Sequence, residues 1–516
     1  MRIRRLTSII LALALVFALA ACGGEGPVPT PTPAPTPAPS GSLEPEPEAQ
    51  AFALPCYPES GFHPITGANR TNLQLAPLMY EGLFELNGAF EPATVLCQSW
   101  QAAEDGLSWS FTLKSATFSD GSAVTAQDAA YSINLARTSA LYAARLTGVT
   151  GAAANADGGL TVTLSAPNGA LPALLDIPIV RENGEGPPLG TGPYVLREGA
   201  DGLSLEGRSG WWQGKALPVD SIPLRRVQEA DDLIYAFDTR DISLVSTDFT
   251  GTNALGYSGS YETLDYPTSV MLYVGFNTKS GACRDAAVRR ALSRDFDRAA
   301  CATVLLSRHA QAAALPFPPG TKYYDAELAD TLAYDPQGAA ALLEEAGWTL
   351  QDGKMVRGRE TLALKLVVNQ DNTYKLGVAE ALATSLSNLG ITVSLEKLSW
   401  DEYVAALEKG SFDIYLGEAR LTADFDLRPL LRDGGALNYG GFADRDTAAL
   451  QEAYQTAAGN ARVRAAQALN RDFLEKAPFA VLCFKNWSVL TQWGQVEGLA
   501  STQQNVFYGF ADWKIN

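Results

Sequence analysis

"LALKLVVNQDNTYKLGVAEALATSLSNLGITVSLEKLSWDEYVAALEKGSFDIYL", residues 362–416, changes its apolar rhythm from period two to helical spacing and back more than once. Leu362, Leu364, Leu366 and Val368 fall on every second position, as on one face of a strand. Tyr374 to Leu389 follows helical spacing and stops at Gly390. Ile391, Val393 and Leu395 alternate again. Ser399 with Glu402 matches a capping box, in which each side chain satisfies the other's free backbone N–H, and the helix it opens ends at Gly410. Phe412 to Leu416 is a short apolar strand. One helix precedes the quoted stretch: Asp335 and Pro336 suit the cap and first-turn positions, Ala339 to Ala346 are helix formers, and Gly347 suits the left-handed stop. The order is α-β-α-β-α-β, which predicts a largely parallel sheet covered by helices.

Toward the N-terminus the texture is different. Trp109, Phe111 and Leu113 alternate in a strand, Ser119–Gly121 makes a turn, and Thr125 with Asp128 opens a helix reaching Arg137. Short β-like runs recur at Leu160–Leu164, Tyr194–Arg197 and Leu203–Leu205. The first half is therefore β-rich, the whole chain is mixed α/β (α+β), and no fixed-period repeat points to a solenoid or propeller.

Ahead of this body lies a different kind of segment. Arg2, Arg4 and Arg5 precede an apolar run, Leu6 to Leu19, too short for a comfortable membrane span, and small residues follow at Ala18–Ala21. This pattern predicts an export signal at 1–21. Leu19, Ala20, Ala21, Cys22 and Gly23 resemble the lipobox of bacterial lipoproteins, which implies acylation of Cys22. Residues 22–48 then alternate proline with Thr, Ala, Ser and Glu, a composition that buries no core and favours an extended spacer. The expected location is extracytoplasmic, held to the bacterial membrane by lipid alone.

The bulk properties exclude several function classes. A formal charge of −18 repels phosphate backbones, so nucleic acid is not an expected partner. Only two histidines occur, His63 and His309, without Cys-x-x-Cys or His-Glu-x-x-His, so no metal site of nitrogen and sulfur ligands is expected. His63 precedes Pro64 and reads as a turn residue. Five cysteines follow Cys22; one bridge, such as Cys56 with Cys97, and buried free thiols are both compatible with their wide spacing. There is no Gly-x-Ser-x-Gly elbow, no phosphate-binding Gly-rich loop, no expected cofactor and no recognisable catalytic set.

The stretch "MYEGLFELNGAFEPATVLCQSWQAAEDGLSWSFTLKSATFSDGSAVTAQDAAYSI", Met79 to Ile133, resembles the signature of the solute-binding proteins of peptide and nickel ABC transporters. "GTGPY" (Gly190–Tyr194), "GWWQGK" (Gly210–Lys215), "VGFNTK" (Val274–Lys279), "VRRAL" (Val288–Leu292) and "YDP" with "LLEEAGW" (Tyr334–Trp348) follow in the family's order. The resemblance implies a two-lobed periplasmic-binding-protein-like fold with hinge crossovers. Lobe 1 would combine 49–78, 187–265 and 487–516 around an inserted β-rich subdomain at 79–186, and lobe 2 would be 266–486. It also implies a monomer without catalysis that captures a short peptide between its lobes and hands it to an ABC transporter permease.

By the same resemblance, Asp424 in "TADFDLRPLL" occupies the position of the family's peptide-ammonium partner, with Phe425 where the family has Tyr. Asn69 and Arg70 in "GANRTN" lie where members line the cleft, and Arg70 is a candidate for a peptide carboxylate. Asn277, Trp400 and Tyr439 are cleft-wall candidates by position. The competing readings are the same fold with a nickel chelate, haem, an oligosaccharide or a signalling peptide, and, from another class, a secreted carbohydrate hydrolase with paired carboxylates.

Overall fold

The computed structural model describes residues 51–184 and 186–516. The signal, Cys22 and the proline-rich segment lie outside the described residues. Among the described residues, no helix is long and apolar enough to cross a membrane.

The α-β-α-β-α-β run forms as its local chemistry dictates. Asp335 accepts from Gly338 N at 2.8 Å and Pro336 opens helix Pro336–Glu345; Gly347 then takes φ +84°. Asn372 caps Thr373–Asn388, and the Ser399–Glu402 capping box opens Trp400–Lys409, which stops at left-handed Gly410. The intervening strands Ala363–Asn369, Thr392–Leu398 and Ile414–Arg420 are parallel. Leu364, Leu366 and Val368 are buried on one face, while Val367 is buried on the other against Tyr415, Tyr403 and Phe479. Both faces are covered, as a parallel sheet requires.

This sheet continues beyond its own lobe. Strands Tyr261–Phe276 and Phe479–Gln492 pair antiparallel along most of their lengths, from Tyr261 opposite Gln492 to Gly275 opposite Phe479. At about 3.3 Å per residue, such strands reach across two lobes. One end of the pair adds strand Leu244–Thr247; the other adds Ile414–Arg420 and the parallel strands. The ladder is interrupted near its middle, between Pro267 and Met271, where proline removes a donor, and shifts register again between Leu272 and Tyr273. There Thr268 Oγ1 donates to Lys485 O at 2.6 Å, and Ser269 donates twice, its N–H to Gln503 Oε1 at 2.6 Å and its hydroxyl to Leu421 O at 2.6 Å. Two crossover strands whose pairing is interrupted at residues 268–270 make the hinge.

The other lobe is built from two four-stranded sheets. One joins Leu54–Cys56, Ser221–Arg226, Gly202–Gly207 and Tyr194–Gly199; the other joins Cys97–Ala102, Ser108–Leu113, Leu160–Leu164 and Val149–Ala154. The sequence motifs meet here. Trp212 Nε1 and Gln213 Nε2 both donate to the Glu81 carboxylate at 2.6 Å, joining the "GWWQGK" and "MYEGL" stretches. Burial pushes Glu81 above the usual carboxylate range, and these donors oppose it. Gly190 and Gly192 of "GTGPY" press on Met79, leaving no room for a Cβ at either position. His63 Nδ1 accepts from Ile65 N and Thr66 N, the turn role its sequence suggested.

All five cysteines among the described residues are free and buried, Cys56 and Cys97 in the separate four-stranded sheets. Burial pushes each of those two thiols up to about 11. Asp295, capping the C-terminus of helix Ala286–Arg294, is 1% exposed, and burial raises its carboxyl to about 6. An acid whose folded pKa is raised holds its proton longer in the folded chain, so stability falls as pH rises from the ordinary value of 3.8 through about 6. Asp295→Asn is expected to raise stability at pH 8 by up to about 3 kcal/mol and to leave it unchanged near pH 3. Urea unfolding at both pH values checks this.

Candidate functional site

The lobes meet along one closed edge. Asp424, 4% exposed, stands just beyond strand Ile414–Arg420, and Phe425 beside it takes φ +49°. That left-handed backbone costs about 1 kcal/mol for a bulky residue. It is held by packing, since the Phe425 ring lies against Phe90, Phe317 and Tyr323. Asp424 Oδ2 accepts from Asn168 Nδ2 at 2.8 Å and from Gln455 Nε2 at 2.9 Å, and Oδ1 accepts from Thr422 Oγ1 at 2.6 Å. Asn168 belongs to the β-rich subdomain, so this carboxylate ties the two lobes together. Below it, Arg462 is wholly buried and donates to the carbonyls of Tyr454, Gln455 and Asp424, with its guanidinium 3.9 Å from the Tyr454 ring centroid.

Next to Asn168, Gly169 N donates to Gln455 O at 2.9 Å across the same edge. A Cβ on Gly169 would lie 1.9 Å from Ala457 O and 2.9 Å from Ala458 N, which is backbone on the opposing lobe. Only glycine permits this approach. Phe90 and the Lys322–Glu91 pair, at 2.9 Å, extend the contact.

Beside the edge a cavity of about 300 Å³ opens between the lobes. Arg145, Gly148, Ser165, Pro167 and Asn168 contribute one wall; Arg420, Thr422, Asp424, Asp426 and Arg428 contribute the other. Asp426 is occupied by a two-pronged pair with Arg428 at 2.7–3.0 Å. Toward the hinge the charge changes sign. Arg70 and Arg420 both lie over the Trp487 ring, at 4.7 and 5.3 Å, and Arg145 stands 2.7 Å from Asp176. Burial, with the charges of Arg145 and Arg70, holds Arg420 below the ordinary arginine value. Across the hinge, Lys485, 3% exposed on the crossover strand, reaches Asp248 at 2.7 Å in one lobe and Glu418 at 3.5 Å in the other. A polar, bipolar cavity walled by two lobes can enclose a small charged solute; its described residues bring no three of His, Cys, Asp and Glu together for a metal.

Residues 91–429 match the model of the bacterial extracellular solute-binding proteins, family 5 Middle. The chain belongs to this family. This family 5 solute-binding protein is 27% identical over 352 residues to the nickel-binding periplasmic protein of Escherichia coli, covering 62% of the chain and 65% of that protein. It is 24% identical over 234 residues to the oligopeptide-binding protein AppA of Bacillus subtilis, covering 44% and 42%. The solute-binding protein thus spans less than two thirds of the length of either relative. In fold it is similar to a nickel ABC transporter protein from Bacillus halodurans, with TM-score 0.73, 19% identity, and coverage of 88% of this chain and 97% of that one.

Of the residues singled out in the sequence, Asp424 lines the cavity and Arg70 stands beside its hinge end. Asn69 caps helix Arg70–Met79, accepting from Asn72 N at 3.0 Å. Asn277 is buried and donates to the Phe412 and Gly410 carbonyls, fixing a loop of lobe 2. Trp400 is 57% exposed at the start of its helix, against Tyr403, and Tyr439 packs edge-on to Tyr415. None of Asn69, Asn277, Trp400 or Tyr439 lines the cavity between the lobes. Sequence reasoning passed over Asn168, Gly169, Arg145, Arg420 and Gln455. Arg420 alone carried a local signal, a cation closing the apolar run of a buried strand. Asn168 and Asp424 lie 256 positions apart, and nothing local in either segment announces the other.

Proposed function

We propose that this chain captures short peptides in the cavity between its lobes and delivers them to an ABC importer, without chemical turnover. The observation that carries this reading is a polar cavity whose two walls come from different lobes joined by one hinge. A solute touching both walls favours the closed arrangement by its differential affinity for it. The oligopeptide-binding relative supports the solute class. A carboxylate offers about four acceptor sites, and Asp424 has three donors on it. The remaining site, facing the cavity, takes the peptide ammonium. Lobe 1 then comprises 49–78, 187–265 and 487–516 with the insert at 79–186, and lobe 2 comprises 266–486. Acylated Cys22 and the proline-rich spacer tether the receptor outside the membrane, which raises the effective concentration of its encounter with the permease.

The reading is tested with trialanine and its N-acetyl derivative. Asp424→Asn is expected to weaken trialanine at least about thirtyfold, near 2 kcal/mol, and to change the N-acetyl form by severalfold at most. Calorimetry measures both. Equal losses for the two peptides would leave Asp424 as a tie between lobes and remove it from ligand recognition.

A further inference from the structure

Two buried thiols remote in sequence meet beside the crossover strand Phe479–Gln492. Cys301, 3% exposed, opens the wide turn Cys301–Leu305, which Leu306 N closes on Cys301 O at 3.0 Å; Cys483 lies on the strand itself, wholly buried. Both belong to the same apolar layer of lobe 2. The register of the strand brings them there. Ala480 faces this layer and Val481 the opposite one, yet Leu482 and Cys483 face it in succession before Phe484 turns away. The extra residue is the register shift opposite Leu272 and Tyr273, which pair with Cys483 and Val481. Without that bulge, alternation would send Cys483 to the other face. The turn is pinned to the same strand, since Arg298 Nε donates to Val481 O at 2.8 Å and Ala312 pairs with Cys483. The neighbouring Cys301 thiol, ahead of burial, holds the Cys483 thiol well above its ordinary range. The other described cysteines have different company: Cys56 lies near Arg226, Cys97 Sγ donates to Ser99 O at 3.4 Å, and Cys283 lies near Asp413 and Arg289.

We propose that Cys301 and Cys483 are a disulfide site, closed as the chain folds outside the cytoplasm. Family 5 solute-binding proteins are extracytoplasmic, and disulfides form and persist in such oxidising surroundings. The oxidant is a second disulfide, for which oxidised glutathione stands as the small-molecule example. One protein thiolate attacks it, expelling one thiol and leaving a mixed disulfide; the other protein thiolate then displaces the second half. Two protein thiols become one S–S bond, their two electrons reduce the incoming disulfide, and their two protons end on the two released thiols. Burial sets the timing: exchange precedes completion of the core, and the finished bond is then shielded from reductants. The bond would tie the crossover strand to lobe 2 two residues before Lys485, the cation that reaches Asp248 and Glu418. Rotation at 268–270 then leaves the root of the strand in place. The assignment holds whatever solute the cleft takes.

The test refolds the full chain from urea in two arms, one with a mixture of oxidised and reduced glutathione and one with a phosphine reductant. Each product is unfolded again and labelled with N-ethylmaleimide, and its peptides are read by mass spectrometry. In the oxidised arm Cys56, Cys97 and Cys283 are expected to take the label, and Cys301 and Cys483 to take it only after reduction, appearing before that as one linked peptide. The oxidised protein should melt at least about 5 °C above the reduced one, because the bridge closes a long loop. That difference should vanish in Cys301→Ala and in Cys483→Ala and persist in Cys56→Ala; each variant is compared with its own reduced form, so packing losses cancel. If either variant fails to refold, the linked peptide from the wild-type chain decides alone. Labelling of Cys301 and Cys483 in the oxidised arm without reduction, or linkage of either to another cysteine, would overturn the proposal. So would a melting difference that survives in Cys301→Ala.

Discussion

Gly169→Ala is expected to abolish tight solute binding while leaving the fold intact. The added methyl would overlap backbone atoms of Ala457 and Ala458, at 1.9 and 2.9 Å, and no side chain can swing aside to relieve it. The overlap exists only when the β-rich subdomain rests on the start of helix Gly459–Lys476. It therefore penalises the closed form and not the separate lobes. A penalty of about 4 kcal/mol lowers the population of the closed form, and with it the apparent affinity, about a thousandfold. Small-angle scattering should show a larger radius of gyration than wild type whenever solute is present, with the solute-free melting temperature changed by no more than a few degrees. Wild-type affinity in this variant would mean that solute binding does not require the observed lobe contact.

Arg462→Ala is expected to give the largest loss of stability, about 3 to 5 kcal/mol. Its guanidinium is 1% exposed and links the end of one helix to the segment bearing Asp424. Truncation leaves the carbonyls of Tyr454, Gln455 and Asp424 without that donor and removes the cation from the Tyr454 ring. Arg462→Lys should recover only part of the loss, because a single ammonium cannot reproduce the planar fork. Urea unfolding measures both variants, and a loss below about 1 kcal/mol for the alanine would show that water replaces the guanidinium.

These two positions illustrate what the chain discloses in one dimension. Capping at Asp335, Ser399 and Glu402, and the stops at Gly347, Gly390 and Gly410, are contests between neighbouring backbone groups, so the α-β-α-β-α-β run was legible directly. The crossover strand Tyr261–Phe276 was harder, because Pro267 at its centre reads as a break, and so it is, but one bridged by Thr268 and Ser269. Gly169 resembles any loop glycine until the opposing backbone is present. Trp400 and Asn277 were proposed from position in the family pattern, yet one faces solvent and the other secures a loop. Which loop a residue meets across the cleft depends on the hinge angle, and no local rule encodes an angle.

The gap in the crossover ladder at residues 268–270 limits the kind of motion available to the molecule. Since the strand pairing resumes on both sides, opening needs no row of the sheet to slide past another, while it bares apolar side chains shared between the lobes, such as Phe90 on Phe425. Such a geometry suits rotation about a short axis, resisted by the Phe90–Phe425 packing and by polar ties at the rim and at Lys485. Gape, more than the shape of either wall, then sets which solutes are admitted, and a change of one tie at the axis would retune the width of the mouth without altering what the walls recognise.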